Sequence, residues 1–436
     1  MTTATRSLRA AVAAALLLAA APALAADPKP AELLQPAKPS EAKPAAEVPP
    51  TAVKWKRYKL SDQFVSEGAA VGDFNGDGKM DVASGPYWYE GPDFSPEKRH
   101  EIYKPKVYDP RSYTEDNFLA FAYDFNGDKY DDLMVYGFPG KEAWLFENPG
   151  KAGGAWKKHK AFDSVDNESP WFTDVNGDGK PDIVCSTGGF LGYATMDPAD
   201  PFKPWTFHKI SPKGGWQRFT HGLGVGDVNG DGKMDILEKD GWWEQPKDLA
   251  GDPVWVKHDV KFGGGGAQMH VYDVNGDGRN DVITSLAAHG YGLAWFEQKA
   301  DGTFTPHMIM GAKPEESPQR LAVSQLHAID LIDVDGDGLK DIVTGKRFWA
   351  HAPNKEGKGG DVGVNDPALL HWFKLTRKDG QATFTAYEID NDSGVGTQVM
   401  AADVNGDKKP DVVVGNKKGT FVHVQVGGTA PSAKRD

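Results

Sequence analysis

Short apolar runs, separated by glycine-rich polar segments, recur along most of the chain. One type is β-branched and ends in small residues, as in Asp281-Val-Ile-Thr-Ser285 and Asp411-Val-Val-Val-Gly415. A second type is aromatic, as in Trp242-Trp243-Glu244, and a third has a Trp-x-x-His spacing, as in Trp255-Val-Lys-His258. Short β-branched or aromatic runs bounded by turn residues are typical of strands. The pattern therefore predicts an all-β protein.

One polar segment is a nine-residue motif that the chain repeats seven times. Its clearest copy runs from Asp227 to Asp235, and the other copies begin at Asp73, Asp124, Asp174, Asp273, Asp333 and Asp403. Successive copies begin 46 to 70 residues apart, which is the period of a four-stranded propeller blade with its loops. Each unit begins with a short apolar strand A, followed by the motif and the β-branched strand B. The aromatic strand C and the Trp-x-x-His strand D then complete it.

The two ends of this series complement each other. The seventh motif is followed only by strands B and C, whereas Trp55 to Leu60 fits the strand D pattern and precedes the first motif. We therefore predict a seven-bladed β-propeller over residues 51–428, in which the N-terminal strand completes the last blade. Closing the ring in this way removes the exposed sheet edges that a row of blades would leave.

The motif has oxygen-bearing side chains at its first, third, fifth and ninth places. In a tight loop such side chains converge on a hard cation, and the natural occupant is calcium. Loops two and seven have Lys129 and Lys408 at the sixth place, where the others have glycine, and we expect weaker binding there. A solvated hairpin turn without an ion is the alternative for any single copy. The predicted metal ligands are Asp73, Asn75, Asp77, Asp81, Asp124, Asn126, Asp128, Asp132, Asp174, Asn176, Asp178, Asp182, Asp227, Asn229, Asp231, Asp235, Asp273, Asn275, Asp277, Asp281, Asp333, Asp335, Asp337, Asp341, Asp403, Asn405, Asp407 and Asp411.

The repeated motif, placed between two strands, resembles that of the FG-GAP or VCBS-type repeat family, whose calcium-loop propellers include the integrin α-chain head. The resemblance covers most of residues 53–426. It implies the fold and up to seven calcium ions, but no activity, because propellers serve many functions. With its aromatic C strands, the chain also resembles the propeller part of aldos-2-ulose dehydratases, which act on oxidised sugars. The cupin domains of those enzymes are missing here.

The N-terminus has the pattern of a secretory signal peptide. Arg6 and Arg9 precede an apolar run, and Ala23-Leu-Ala25 provides the small-residue cleavage site. We expect residues 1–25 to be removed, 26–50 to form a Pro/Ala-rich disordered tether and 429–436 to be a disordered tail. No other stretch has the roughly 20 apolar residues that a membrane span needs, so we predict an exported protein, periplasmic or extracellular.

Charge and cysteine content bear on the possible partners and on how the fold is cross-linked. The net charge is −13, and it becomes −15 once Arg6 and Arg9 leave with the signal peptide. Seven divalent ions would add +14 and bring the total near zero, so the acidity belongs mainly to the motifs. There is no basic stripe, which argues against a nucleic-acid partner. Cys185 is the only cysteine, so no intramolecular disulfide can form, and bound calcium is the expected cross-link.

Residues just before strand A and just after strand B share the rim opposite the metal loops. Imidazole and carboxylate groups there are ligands for zinc, manganese or iron. They are also acids and bases for removing a proton beside a carbonyl, with nearby cations to hold the developing charge. The candidate catalytic residues are Glu67, Glu168, His221, His327, Lys346 and Arg347, and the further ligand-rim residues are Gln268, His270, His289, His351, Gln398 and Lys417.

Three interpretations of this rim stay open. The rim binds a carbohydrate or protein ligand without catalysis, which we prefer. Alternatively, it belongs to a sugar lyase or dehydratase that uses the histidines and glutamates, with an additional transition metal. Finally, it is a hydrated channel mouth without chemistry. Five other histidines recur at one position of strand D, and we interpret them as architectural: His100, His159, His208, His258 and His307.

Overall fold

Twenty-seven strands account for the regular structure of the part of the chain that the computed structural model describes, residues 53–317 and 319–427. In chain order they are β1 (Trp55–Ser61), β2 (Ala70–Gly72), β3 (Asp81–Ser84), β4 (Tyr87–Tyr89), β5 (Arg99–Glu101), β6 (Leu119–Tyr123), β7 (Asp132–Tyr136), β8 (Lys141–Glu147), β9 (Lys157–Thr173), β10 (Asp182–Thr187), β11 (Phe190–Thr195), β12 (Thr206–Lys209), β13 (Leu223–Gly226), β14 (Asp235–Glu238), β15 (Gly241–Glu244), β16 (Val256–Asp259), β17 (Gln268–Tyr272), β18 (Asp281–Ser285), β19 (Leu293–Gln298), β20 (Phe304–Met310), β21 (Ile329–Ile332), β22 (Asp341–Gly345), β23 (Leu370–Lys378), β24 (Gln381–Asp390), β25 (Met400–Ala402), β26 (Asp411–Asn416) and β27 (Gly419–Gln425). Short 3-10 turns cover Pro96–Lys98, Gly150–Ala152 and Pro314–Glu316. Within the described residues, no helix has the length and apolar character needed to cross a membrane. The predicted signal peptide, tether and C-terminal tail lie outside the described residues.

The strands form seven antiparallel four-stranded units in the predicted A–B–C–D order. Blade one is β2 to β5, blade four is β13 to β16, blade five is β17 to β20 and blade six is β21 to β24. The long strand β9 serves two units, since its first half is strand D of blade two and its second half is strand A of blade three. Each strand A of blades one to seven therefore leads into one copy of the nine-residue motif.

The N-terminal strand closes the ring. β1 pairs antiparallel with β27, with Trp55 opposite Gln425 and Lys59 opposite Phe421, and so becomes strand D of blade seven. This pairing confirms the strand exchange that the incomplete last unit predicted. A shared apolar cluster of Leu60, Val65, Val82, Val413 and Val422 then joins blade seven to blade one.

Apolar side chains between neighbouring blades form the core. In the described part of the chain, seven buried clusters each join two consecutive blades, and together they complete the circle. The A strands approach one another closely at the centre. Gly224 in β13 allows this, because a Cβ atom there would lie 2.5 Å from the carbonyl oxygen of Met269 in β17. These features give the all-β, seven-bladed β-propeller that the repeats predicted.

The repeated strand D histidines are architectural, as predicted. The rings of His258 and Trp242 stack with centroids 4.0 Å apart, and the rings of His100 and Trp88 stack at 4.1 Å. The histidine also bonds a strand C glutamate, as in the 2.7 Å contact between His258 Nε2 and Glu244. Cys185 is fully buried in β10.

Candidate functional site

The nine-residue motifs all fold into the same tight loop. In loop four, Oδ1 of Asp227 accepts hydrogen bonds from the backbone N–H groups of Gly230 and Asp231, and Oδ2 accepts one from Gly232 at 2.9 Å. Asn229 Oδ1 accepts a further bond from the N–H of Asp231 at 3.0 Å. Side chains at the first, third and fifth places are thereby held around one small volume. In loop six, Asp333, Asp335 and Asp337 each place a carboxylate oxygen within 4.8 Å of the others.

The aspartates at the ninth place have a different environment from those at the first and fifth. Asp235 is buried, and its two oxygens accept hydrogen bonds from the backbone N–H groups of Val228 and Gln245, both at 2.9 Å. Burial raises the pKa of Asp235 to about 6. The ninth-place residues in the other loops accept the equivalent bond from the second residue of the motif: Asp81, Asp132, Asp182, Asp281, Asp341 and Asp411. This carboxylate therefore fastens the loop to the blade, whatever it contributes to an ion.

Loops two and seven keep the same backbone despite their lysines. Lys129 and Lys408 adopt φ angles of 75° and 67°, in the left-handed region that glycine occupies in the other loops. Their backbone N–H groups donate to Asp124 and Asp403, as the corresponding glycines do elsewhere. A side chain in this conformation costs free energy. These loops therefore form at a conformational cost.

The rim opposite the loops brings four predicted residues together. Glu168, His221, His289 and His327 each place one ligand-type atom within 4.8 Å of the others. Glu168 comes from β9, His221 and His327 lie two residues before β13 and β21, respectively, and His289 lies in the segment between β18 and β19. The His221 ring is 5.2 Å from that of His327 and 5.0 Å from that of His289, between ring centroids. We call these four residues the rim centre.

The rim centre is buried and incompletely hydrogen-bonded. His327 is 0% exposed and Glu168 is 7% exposed. Nε2 of His221 lies 3.4 Å from Glu168 Oε2, yet this buried nitrogen has no hydrogen-bond partner in the described residues. A buried polar nitrogen without a partner is costly, and its lone pair or proton is available to a ligand.

Charged side chains adjoin this centre on one side. Arg347 donates from Nε to Glu67 Oε2 at 2.6 Å, and its Nη1 lies 3.4 Å from Glu168 and 3.2 Å from His327 Nε2. Among the described residues, the buried Glu67 Oε1 has no hydrogen-bond partner, and the Lys417 ammonium lies 3.9 Å away. Glu67 therefore reaches the histidines only through Arg347, rather than joining them as a ligand.

A second carboxylate orients two of the histidines. Asp361 accepts from Nδ1 of His289 at 3.0 Å and from Nδ1 of His351 at 2.8 Å. The His289 and His351 rings stack at 4.4 Å. Sequence reasoning missed Asp361, because it lies in the irregular segment between β22 and β23, outside every repeat. The glycine-rich composition of this segment predicted a loop over the rim, but it could not single out one of its acids.

Burial controls the protonation of these groups. It lowers the pKa of His289, and burial together with the Arg347 charge holds the pKa of His327 well below its usual value, so this ring is neutral. Burial alone would raise the pKa of Glu168, but His221 and Arg347 outweigh it and lower the pKa to about 2. Burial also lowers the pKa of Lys417 to about 8. A neutral His327 imidazole and an ionised Glu168 carboxylate therefore lie together, and the lysine with the lowered pKa adjoins them through Glu67.

Other predicted rim residues have structural contacts. Gln398 bonds the backbone N–H and C=O of Ala120, and Gln268 bonds the N–H of Ile329 and the C=O of Thr397, so both tie blades together across the centre of the ring. His270 contacts the Ile329 carbonyl at 2.9 Å. Lys346 contacts Ser324 and the Gly363 carbonyl, on the side of the irregular segment. The structure thus separates these four residues from the rim centre.

A cavity of about 710 Å³ opens on the same face, beside blades one and two. Tyr103, Tyr113, Phe138 and Trp144 provide aromatic surface, and lysines and acids line the remainder. Tyr113 links the cavity to the charged group, because its ring lies 4.7 Å from the Lys417 ammonium and 6.2 Å from the His351 ring. Aromatic faces with mixed donors and acceptors suit a hydroxyl-rich ligand.

Comparison with known proteins identifies the repeats. The model of the FG-GAP-like repeat matches residues 124–185, 174–238 and 273–344, and the model of the FG-GAP repeat matches residues 395–430. No curated protein matches the sequence. Similar solved structures include an Agrocybe aegerita lectin described as recognising non-reducing terminal N-acetylglucosamine, with 19% identity, a TM-score of 0.46 and 86% coverage of each chain. They also include the rhamnogalacturonan lyase YesW, with 13% identity, a TM-score of 0.44 and coverage of 88% of this chain and 77% of that chain. Because the two repeat models together match more than half of the sequence, the chain belongs to the FG-GAP repeat family.

Proposed function

We propose that the rim centre binds one divalent transition-metal ion and that the protein is an enzyme acting on a sugar-like substrate. The observation that carries this proposal is the convergence of Glu168, His221, His289 and His327 within 4.8 Å. Three imidazoles and one carboxylate are a donor set suited to zinc, manganese or iron, and unsuited to calcium, which prefers oxygen alone.

In the described part of the chain, Nε2 of His221 has no hydrogen-bond partner, which supports this assignment because such a buried nitrogen is accounted for if it ligates an ion. The Asp361 carboxylate also bonds Nδ1 of His289, which leaves Nε2 for the ion, as outer carboxylates do in many metal sites. A bound ion would polarise a carbonyl or hydroxyl oxygen of the substrate.

The surrounding residues suit proton transfer on carbon. Burial lowers the pKa of Lys417 to about 8, so a minor fraction is neutral near physiological pH and can accept a proton. Arg347 is held by Glu67 beside the rim centre and offers a fixed positive charge to a developing oxyanion. These roles fit a lyase or dehydratase that removes a proton beside a carbonyl or carboxylate and then expels a hydroxyl or alkoxyl group.

Non-catalytic carbohydrate binding is the second candidate, and the cavity beside Tyr113 favours it. The cavity of about 710 Å³ has room for several sugar rings, and its aromatic side chains offer stacking surfaces. A binding protein would use this cavity without needing the buried histidines. A protein ligand on the same rim is a further form of this proposal.

Two other elements of the proposal concern the scaffold and its location. The nine-residue loops bind calcium as structural ions, because their first-place aspartates and third-place amides are already held in position by backbone N–H groups. The protein is exported, on the strength of the N-terminal sequence pattern alone.

Metal analysis of the purified full chain tests the catalytic proposal. We expect one transition-metal ion per chain in addition to calcium, lost in the His221→Ala/His327→Ala variant without loss of the calcium. A panel of oxidised and acidic sugars, followed by the ultraviolet absorbance of an unsaturated product, then reports activity. Wild-type protein that takes up no zinc, manganese or iron, yet binds oligosaccharides by calorimetry, would instead establish the binding candidate.

A further inference from the structure

Loop six differs from the other six loops in its charges. Its third place is Asp335, where the others have asparagine. Its seventh place is Leu339, where five of the others have lysine or arginine. Loop six therefore has one more carboxylate at the first, third and fifth places, and it lacks the basic residue that most loops carry at the seventh place.

The adjacent strand C carries a positive charge at a place where most other blades carry a negative one. Lys374 in β23 occupies the place where blades one, two, four and five have a glutamate: Glu90, Glu147, Glu244 and Glu297. Each of these glutamates bonds the strand D histidine of its blade at 2.7 to 2.8 Å. In blade six Tyr387 replaces that histidine and stacks on Trp372 at 4.9 Å. The glutamate–histidine pair is thus absent from blade six, and a cation takes its place.

The Lys374 ammonium bonds two carboxylates of loop six. Nζ lies 2.6 Å from Oδ2 of Asp337 and also contacts Oδ2 of Asp335. Those carboxylates and Asp333 have oxygens within 4.8 Å of one another. In blade five the equivalent Glu297 instead accepts a bond from the third-place amide, Asn275, at 3.3 Å. The strand C side chain therefore reaches the interior of the loop in both blades, with opposite charge.

We propose that Lys374 is a built-in counter-ion for loop six, which weakens calcium binding there and makes the fold of this loop less dependent on calcium. An ammonium group is a compact point charge that satisfies two carboxylates at once. Calcium must displace it and leave it without a partner beside the ion, at a Coulombic cost. Without the lysine, the third carboxylate would make loop six the tightest site, since ligand charge raises calcium affinity. This inference rests on the proposal that the other loops bind calcium.

Calorimetric titration of the calcium-depleted full chain with calcium chloride tests the inference. In Lys374→Met, loop six should bind calcium at least about tenfold more tightly than it does in the wild type. Lys374→Arg keeps the cation and should match the wild type. Lys340→Met is the matched control, because Lys340 belongs to the same loop but its ammonium lies over the Tyr272 ring, 5.9 Å from the ring centroid.

The outcomes separate this inference from the calcium proposal on which it rests. An extra or tighter site in Lys374→Met, with no change in Lys340→Met, supports the counter-ion role. Equal stoichiometry and affinity in wild type and Lys374→Met would overturn that role while leaving calcium binding by the loops intact. Absence of calcium binding in both proteins would overturn the two proposals together. Thermal unfolding in each titrated state confirms that the Met variant is folded.

Discussion

Arg347 and Glu67 form a buried ion pair between blades six and one. Nε of Arg347 lies 2.6 Å from Oε2 of Glu67, and the two side chains are 2% and 0% exposed. The residues are 280 positions apart in the sequence. The same guanidinium contacts Glu168 and His327, so it connects the ring-closing region to the rim centre. This pair exists only because the propeller closes.

Removing the arginine should destabilise the protein strongly. In Arg347→Met, Glu67 and Glu168 keep their charges in the interior without the guanidinium, and breaking a buried pair in this way costs about 3–5 kcal/mol. Urea unfolding at neutral pH measures the effect. The Glu67→Gln/Arg347→Met double variant also removes the unpaired charge of Glu67 and should recover part of the lost stability. A single variant as stable as the wild type would show that the pair contributes no net stability.

Asp361 should act on metal affinity rather than on the fold. Asp361→Asn weakens the acceptor that orients His289 and His351, and loss of such an outer carboxylate typically costs about 10–100-fold in metal affinity. Zinc competition with a chromophoric chelator measures this change. Asp366→Asn, the same substitution in the same segment, is the control and should leave zinc affinity unchanged. Equal affinities for the two variants would argue against a role for Asp361.

Chelation should show whether the loops hold structural calcium. If the loops bind calcium only in the folded state, each contributes about 2.7 kcal/mol at a calcium concentration 100-fold above its Kd. EDTA should therefore lower the melting temperature substantially. Adding back calcium should restore it, whereas magnesium should not, because magnesium gives up its water reluctantly. A melting temperature indifferent to EDTA would rule out structural calcium.

Lys408 is a site where stability should increase. Its φ of 67° is favourable for glycine and costs a lysine about 1 kcal/mol, so Lys408→Gly should raise the free energy of unfolding by about that amount. Chemical unfolding in excess calcium gives the comparison. Lys409→Gly, one residue later and without a positive φ, is the matched control and should be neutral or destabilising. Stabilisation by both changes alike would point to charge rather than backbone conformation.

His371 should make the fold sensitive to mild acid. Burial lowers its pKa to about 4 from an ordinary value of 6.5. Because the unfolded chain binds this proton more readily, stability is complete above pH 6.5 and is lost as the pH falls towards 4. Between pH 7 and pH 5 the loss from this residue is roughly 2 kcal/mol. His371→Phe should lose less stability than the wild type over that interval in urea unfolding; parallel pH profiles would contradict this.

Much of the scaffold could be read from the sequence because its signals are local. Nine consecutive residues specify each loop, and the strands on either side have their own β-branched or aromatic composition. Even ring closure could be predicted, since Trp55 to Leu60 carries the strand D pattern that the last blade lacks. The strand D histidines were recognisable because they recur at one position in five of the repeats.

The rim was predictable in part. Its position before strand A identified Glu168, His221 and His327 as neighbours, because the repeat places equivalent residues on one circle. The pattern alone assigned Glu67 to the same group, but in the structure Glu67 forms an ion pair with Arg347 instead. The pattern also placed Gln268, Gln398 and His270 on a ligand surface, whereas they bond backbone groups of other blades.

The sequence by itself determined the repeating unit, the number of blades and the strand that completes the ring, because each depends on contacts between residues close in the chain or on a simple count. Only the tertiary structure decided which rim side chains meet. Asp361 and His351 come from an irregular segment with no repeat partner, and Arg347 and Glu67 meet across 280 residues. Such contacts depend on how closure and a single insertion bring chain segments together, and no local pattern encodes that.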